Sequence, residues 1–153
     1  LFDKDGKLAN KGKVIPSLLD ELNQLEFYQR NSPKSLGREW VKKNINPILN
    51  KKKYSTEDKL NTFCEHIAYQ IGSFLKNESV LVSGGGANNK YLIKKIKEYT
   101  KSKIILPSKE IIDFKEAIIF AFLGVLRLEN KNNCLKSVTG AKTDNCGGDI
   151  YRK

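Results

Sequence analysis

Three consecutive glycines are the residues of this chain best suited to chemistry. Residues 80–93 read as a short buried strand, a turn made by Gly84, Gly85 and Gly86, and a basic amphipathic helix. Glycine has no Cβ atom, so another molecule can come close to the backbone of such a turn. The following helix directs its free N–H groups and the positive end of its dipole at the same place. These features together predict a nucleotide-binding turn.

The turn departs from two familiar nucleotide-binding patterns. In the phosphate-loop pattern, Asn89 takes the place of the second glycine, and Tyr91 follows the lysine where Ser or Thr is needed. In the dinucleotide fingerprint, Asn89 stands where the last glycine should be. A tight strand-to-helix connection without a ligand is the alternative. Against it, each glycine carries an entropic cost of folding that a plain turn does not require.

A pair of carboxylates forms a second candidate site. Asp113 and Glu116 give the spacing Asp-x-x-Glu at the head of a predicted helix over residues 114–128. The spacing favours a helix start, with Asp113 as N-cap and Glu116 three residues later. The other interpretation is a carboxylate at the edge of a cleft, in contact with a polar ligand.

The remaining polar candidates do not assemble into a catalytic set. His66 has no cysteine or carboxylate at ligand spacing, which predicts a structural role and no metal site. Arg38 could contact an anion. Cys64, Cys134 and Cys146 lack C-x-x-C spacing, and Cys64 falls on the apolar side of a predicted helix. This cysteine usage fits a reduced, cytoplasmic compartment.

The composition is that of a soluble globular domain. The 153 residues are 39% hydrophobic and 29% charged, with a formal net charge of +11. No long apolar run occurs, so no membrane span is expected. The basic residues are mostly lysines spread along the chain, which favours solvated charged faces over a nucleic-acid surface. The first residues do not have the pattern of a signal peptide. The absence of an initiator methionine, and of any methionine in the chain, suggests a piece of a longer protein.

The hydrophobic pattern predicts an α/β fold. Apolar spacing predicts helices over residues 17–27, about 37–49, 56–75, 88–99 and 114–128. The last of these is apolar nearly all round and should be buried on most faces. Short strands are predicted at residues 80–83 and 103–106, with a further strand near 148–151. Helices followed by β-α-β-α imply short parallel strands with packed helices.

Five short segments follow one another in a distinctive order: residues 2–9 (Phe-Asp-Lys-Asp-Gly-Lys-Leu-Ala), 33–39 (Pro-Lys-Ser-Leu-Gly-Arg-Glu), 82–89 (Val-Ser-Gly-Gly-Gly-Ala-Asn-Asn), 114–117 (Phe-Lys-Glu-Ala) and 137–141 (Ser-Val-Thr-Gly-Ala). In this order they resemble the C-terminal half of the anhydro-N-acetylmuramic acid kinase family. That family belongs to the actin-like ATPase clan of sugar kinases, with a ribonuclease H-like fold and two α/β lobes around an ATP and sugar cleft. The resemblance implies that residues 1–153 form a single lobe, the C-terminal half of a two-lobe kinase without its N-terminal lobe.

The same resemblance implies a reaction and site residues. It implies ATP-dependent opening of the 1,6-anhydro ring of anhydro-N-acetylmuramic acid with phosphorylation at O6, in peptidoglycan recycling, with ATP and Mg²⁺ as cofactors. Gly84, Gly85, Gly86 and Asn88 match the turn on the adenosine side, and Glu116 matches a glutamate near the sugar. The family's first phosphate turn and catalytic aspartate lie in the N-terminal half. No catalytic or metal-binding residue is therefore assigned here, and this lobe alone is expected to be inactive.

The implied partners are ATP, 1,6-anhydro-N-acetylmuramic acid, the N-terminal lobe of the same protein and a second copy in a homodimer. Two alternatives stay open. One is another sugar kinase of the same clan. The other is a non-catalytic binding module whose basic helix at residues 90–97 binds a polyanion. Binding that weakens steeply with salt would distinguish this module from a nucleotide-binding lobe.

Overall fold

The structure is a computed structural model that describes residues 2–31, 34–51 and 53–151. The chain divides into two compact units, Leu1–Pro107 and Ser108–Lys153. The prediction of a single lobe over residues 1–153 stays a prediction. Within the described residues, no helix is both long enough and apolar enough to cross a membrane.

The first unit is mostly helical and contains one small sheet. Three short 3₁₀ helices lie at Lys4–Gly6, Ala9–Lys11 and Gly85–Asn88. The helices are α1 (Pro16–Asn23), α2 (Glu26–Gln29), α3 (Arg38–Leu49), α4 (Thr56–Phe74) and α5 (Lys90–Glu98), and the strands are β1 (Ser79–Leu81) and β2 (Lys103–Ile105).

Helix α4 is the long central helix of this unit, and its start was predicted correctly. The Ser55 hydroxyl accepts a hydrogen bond from the Asp58 N–H at 3.1 Å, which satisfies one free donor of the first turn. Glu57 and Asp58 place negative charge near the positive end of the helix dipole. The buried side of the helix is partly polar, because Asn61, Thr62 and His66 are buried there beside Cys64 and Ala68.

Two hydrophobic clusters hold the elements around α4. The first joins α1 to α3 through Leu18, Leu22, Ile45 and Ile48. The second lies beneath the sheet and is made of Ala68 from α4 and Ile93 and Ile96 from α5, with Val82, Leu92 and Ile104 packed against it. The second cluster therefore fixes α5 between the central helix and the sheet.

Strands β1 and β2 pair in parallel, as the β-α-β order predicts. Their register places Val80 opposite Ile104 and Leu81 opposite Ile105. The Val82 N–H donates to the Ile105 carbonyl at 2.9 Å and extends the pairing by one bond. The expectation of a buried first strand was wrong, because Leu81 is 61% exposed. Successive side chains alternate between the faces of a sheet, and only the face on α4 and α5 is covered in this unit.

One predicted helix of the first unit is broken in two. Residues 17–27 were expected to be continuous, but α1 ends at Asn23 and α2 begins at Glu26. Leu25 has extended backbone (φ −56°, ψ 131°) and packs against the first hydrophobic cluster. The free energy gained by burying Leu25 outweighs the preference of the neighbouring residues for a continuous helix.

The second unit contains α6 (Lys109–Leu128) and the short helix α7 (Lys136–Thr139). Its tail folds back through an antiparallel bridge between Cys134 and Asn145. A hydrogen bond connects this tail to α6, since Arg127 Nε donates to the Gly148 carbonyl at 2.7 Å. The predicted strand at residues 148–151 was wrong, because that segment has no regular structure.

Helix α6 differs from its prediction in two ways. It begins at Lys109 rather than at Phe114, with Ser108 at the N-cap position. It was expected to be buried on most faces, yet it contains no buried residue, and Phe120 is 72% exposed. The remainder of this unit is too short to supply a second layer that would cover the apolar faces.

Candidate functional site

The backbone conformation of the glycine turn requires a glycine at only one of its three positions. Gly84 has φ 84° and ψ 176°, a conformation that residues with a Cβ atom rarely adopt. One turn of 3₁₀ helix, Gly85–Asn88, then leads to α5. The Ala87 N–H donates to the Gly84 carbonyl at 3.0 Å, and the Asn89 N–H donates to the Gly86 carbonyl at 3.0 Å.

Gly85 and Gly86 are not explained by the chain's own conformation or packing. Neither has a positive φ, and a Cβ atom built at either position has no heavy atom within 4 Å. Both residues are exposed. A residue with a side chain would cost less entropy on folding. Open space over two unneeded glycines is the geometry expected where another molecule approaches the backbone.

Two asparagines follow the turn and have different roles. Asn89 is the N-cap of α5, and its Oδ1 accepts a hydrogen bond from the Leu92 N–H at 3.0 Å. Asn88 is exposed, and its carboxamide has no hydrogen-bond partner among the described residues. The Asn88 side chain is thus available to a ligand, whereas Asn89 is occupied in holding the helix start.

A groove runs along α5 from the turn. It has a volume of about 440 Å³. Lys90, Lys94 and Lys97 form one side, and in the described part of the chain none of them pairs with a carboxylate. The floor is apolar, and Ile93 is 5% exposed. The groove is therefore suited to an anion that carries an apolar part; its lining residues are Ala87, Lys90, Ile93, Lys94, Lys97, Glu98 and Leu106.

An ionic cluster joins α4 to α5 beside this groove, and one of its members, Glu98, also lines the groove. Lys95 Nζ is 3.0 Å from Glu65 Oε2 and 3.0 Å from Glu98 Oε2. Burial alone would lower the pKa of Lys95, but hydrogen bonds to Glu98 and Glu65 outweigh it and raise that pKa. The Tyr99 hydroxyl donates to Glu65 Oε1, and this bond, with burial, raises the pKa of Tyr99 to about 12. No local spacing in the sequence predicts this cluster, because Glu65 on α4 is distant in the chain from Lys95, Glu98 and Tyr99.

Glu116 lies on α6, in the second unit. It is exposed and forms no ion pair with any described residue. The helix-start interpretation of Asp113 and Glu116 was wrong, because both lie inside the helix, and Asp113 instead pairs with Lys109 at 2.5 Å. The Glu116 carboxylate is thus accessible, while the glycine turn belongs to the first unit.

His66 and Cys64 are structural, as predicted. His66 is 1% exposed, and its Nδ1 lies 2.7 Å from Asn23 Oδ1. Burial lowers the pKa of His66 to about 4. Burial, with smaller contributions from Asp3 and Glu65, raises the pKa of the Cys64 thiol to about 11. The Cys64 thiol is therefore protonated at neutral pH and lacks the reactivity of a thiolate nucleophile. The His66 imidazole is neutral at that pH, and its lowered pKa makes it a weaker base than an ordinary histidine.

Within the ranges that the structure describes, no three His, Cys, Asp or Glu side chains come together to hold a metal ion. Arg38 is the first residue of α3 and is exposed.

One family model and three curated relatives that match this chain carry the same family name. The family model described as "Anhydro-N-acetylmuramic acid kinase" matches residues 1–153. A protein of that name from Actinobacillus pleuropneumoniae serotype 7 is 37% identical over 166 residues, covering 99% of this chain and 44% of its own length. Another from Caldanaerobacter subterraneus subsp. tengcongensis is 34% identical, covering 92% of this chain and 39% of its own.

A third protein of the same name, from Coxiella burnetii, is 34% identical over 163 residues, covering 98% of this chain and 43% of its own length. This chain therefore spans less than half the length of the curated relatives that it matches.

Proposed function

Since this chain belongs to the anhydro-N-acetylmuramic acid kinase family, we propose that it is the nucleotide- and sugar-facing C-terminal lobe of such a kinase. In the proposed reaction, a water oxygen bonds to C1 of the sugar as the C1–O6 bond of the anhydro ring breaks. The released O6 attacks the γ-phosphorus of ATP, and ADP leaves. The water proton goes to a base on the other lobe, and the process belongs to cytoplasmic peptidoglycan recycling.

The observation that carries the nucleotide half of this proposal is the open space over Gly85 and Gly86. A Cβ atom at either glycine would meet nothing of this chain within 4 Å. The backbone there can lie against the flat adenosine end of ATP, with the free Asn88 carboxamide beside it. Gly84 contributes by its backbone conformation, which turns the chain from β1 into the 3₁₀ helix.

Glu116 is proposed to bind the sugar. Its exposed carboxylate accepts hydrogen bonds and has no competing ion pair with the described residues. Sugar hydroxyl groups are the donors that such an acceptor would bind. We assign Glu116 a binding role only, because the base and the phosphate-binding backbone groups are expected on the other lobe. Mg²⁺, when bound with ATP, neutralises charge that develops on the phosphates, and no metal ligand is assigned to this chain.

A calorimetric titration of the chain with ATP tests the nucleotide site. Gly85→Leu would fill the open space over the turn and should weaken binding at least about tenfold, or about 1.4 kcal/mol. Gly124→Leu is the matched control, because a Cβ atom at Gly124 on α6 also has nothing within 4 Å. Equal affinities of the two variants and the unchanged chain would contradict a nucleotide site at the turn.

A kinase assay tests whether catalysis requires both lobes. The chain alone should not phosphorylate the anhydro-sugar, whereas the full-length protein should, since phosphoryl transfer requires positioning by both lobes. Other sugars of the clan serve as comparison substrates, and preferential turnover of one of them would indicate a different kinase of the same clan.

The lysine-lined groove supports a second candidate function, a non-catalytic module for polyanions. Lys90, Lys94 and Lys97 lie along one side of α5 without described carboxylate partners. Counterion release makes binding of nucleic acid fall steeply with salt. A steep salt dependence together with no response to Gly85→Leu would favour this function over the kinase lobe.

A further inference from the structure

Gly6 lies directly against the start of α5, although 83 positions separate it from Asn89 in the sequence. It is buried and has φ +71°. A Cβ atom built at Gly6 would lie 2.4 Å from Asn89 Oδ1 and 2.4 Å from Tyr91 Cβ. Both distances are far below van der Waals contact, so no side chain fits at Gly6 unless Asn89 and Tyr91 move.

Asn89 transmits any such movement to the glycine turn. Its N–H closes the 3₁₀ turn on the Gly86 carbonyl at 3.0 Å, and its side chain caps α5 through the Leu92 N–H. One residue therefore joins the end of the turn to the start of the helix. A shift of Asn89 displaces both.

The segment that carries Gly6 is itself held in place. Both carboxylate oxygens of Asp3 accept backbone hydrogen bonds, from the Leu8 N–H at 2.8 Å and from the Ala9 N–H at 2.9 Å. This closes the segment into a compact loop around Gly6.

Asn61 of α4 connects this loop to α5. Its Nδ2 donates to the Ala9 carbonyl at 2.9 Å and lies 2.9 Å from the Tyr91 hydroxyl oxygen. Asn61 is 5% exposed on α4, so these bonds form away from competing water.

From these contacts we propose that Gly6 is a positioning residue for nucleotide binding, which acts through Asn89 on the glycine turn. Asp3 and Asn61 hold the loop that presents Gly6. The inference rests on the proposed function, because it assumes that the turn binds the adenosine end of ATP. It adds a residue that does not touch the ligand and lies outside the glycine-turn motif.

Two glycine substitutions in the full-length protein test this inference. Gly6→Ala pushes on the N-terminal end of α5, beside the turn. Gly72→Ala is the matched control, because a Cβ atom there would lie 2.4 Å from Tyr99 Cβ and so pushes on the C-terminal end of the same helix. Both variants should lose thermal stability. Only Gly6→Ala should raise the KM for ATP, by about tenfold, with the KM for the sugar unchanged.

A second pair keeps the test decisive if those variants do not fold. Asn89→Ala removes the cap and the contact with Gly6, whereas Asn89→Ser retains a capping oxygen. Asn89→Ala should raise the KM for ATP, and Asn89→Ser should restore most of the loss. Equal KM values within each pair would overturn the inference. An unchanged full-length protein that neither binds nor turns over ATP would instead overturn the proposed function.

Discussion

Glu65 and Lys95 join α4 to α5 through an ion pair with a nitrogen–oxygen distance of 3.0 Å. The two side chains are only 12% and 19% exposed, respectively. Helix α5 begins at the glycine turn and lines the lysine groove, so this pair helps to fix the element on which the candidate site is built. The same Lys95 also reaches Glu98, which is 45% exposed.

We expect Glu65→Gln to lower the free energy of unfolding by about 1–3 kcal/mol, because it removes the partner of a largely buried charge. Glu98→Gln removes the exposed partner of the same lysine and should cost no more than about 1 kcal/mol. Urea denaturation followed by circular dichroism measures both values. Equal losses of unfolding free energy in the two variants would show that burial does not determine how much each ion pair of Lys95 stabilises the fold.

The three glycines should respond differently to alanine. Gly84→Ala should destabilise the first unit by about 1–3 kcal/mol, because alanine is strained at φ 84°. Gly85→Ala should leave stability unchanged or raise it by up to about 1 kcal/mol, since nothing opposes a methyl group there.

Thermal or urea unfolding of the two variants measures this contrast, and ATP titration provides the functional counterpart. A large loss of stability in Gly85→Ala would mean that the glycine has a structural role in the chain itself. Gly85 would then be explained without a ligand at the turn.

Leu22→Ala should cost about 2–5 kcal/mol, because Leu22 is fully buried between α1 and α3. Phe74→Ala, at the end of α4, should change stability by less than about 0.5 kcal/mol, since Phe74 is 77% exposed. Trp40 packs against the first cluster and is the sole tryptophan, so its fluorescence follows unfolding of this unit. A large cost for Phe74→Ala in the isolated chain would contradict the described packing.

Stability should fall as the pH is lowered from about 6.5 towards 4, because of His66. Its pKa is about 4 when folded and 6.5 as an ordinary value, so the unfolded chain binds the proton more readily in this range. The contribution is fully present above pH 6.5, and its loss amounts to about 3 kcal/mol. Urea denaturation at several pH values measures it.

The control for this pH dependence is His66→Phe, which keeps an aromatic ring near Tyr28 and Phe63 but cannot titrate. His66 is the only histidine of the chain, so no other imidazole contributes. The variant should lack the loss of stability between pH 6.5 and 4. An identical pH dependence in both proteins would assign the effect to carboxylates instead.

Local signals predicted the elements well where they are strong. Ser55 with two acidic residues after it marked the start of α4, and the glycine turn marked the start of the helix that becomes α5. Local signals failed where two of them competed. The Asp-x-x-Glu spacing at Asp113 predicted a helix start there, whereas α6 begins earlier, after Pro107. The apolar spacing predicted one helix through Leu25, whereas Leu25 is non-helical and packs against the core.

The sequence by itself determined the family, the β-α-β order and the glycine turn, because these depend on residues that are close together in the chain. Only the tertiary structure decided which glycine the backbone requires and which two lie under open space. It also brought Gly6 against Asn89 and Asn61 against Tyr91. Such contacts depend on how distant segments pack, and no local spacing encodes which side chains will meet.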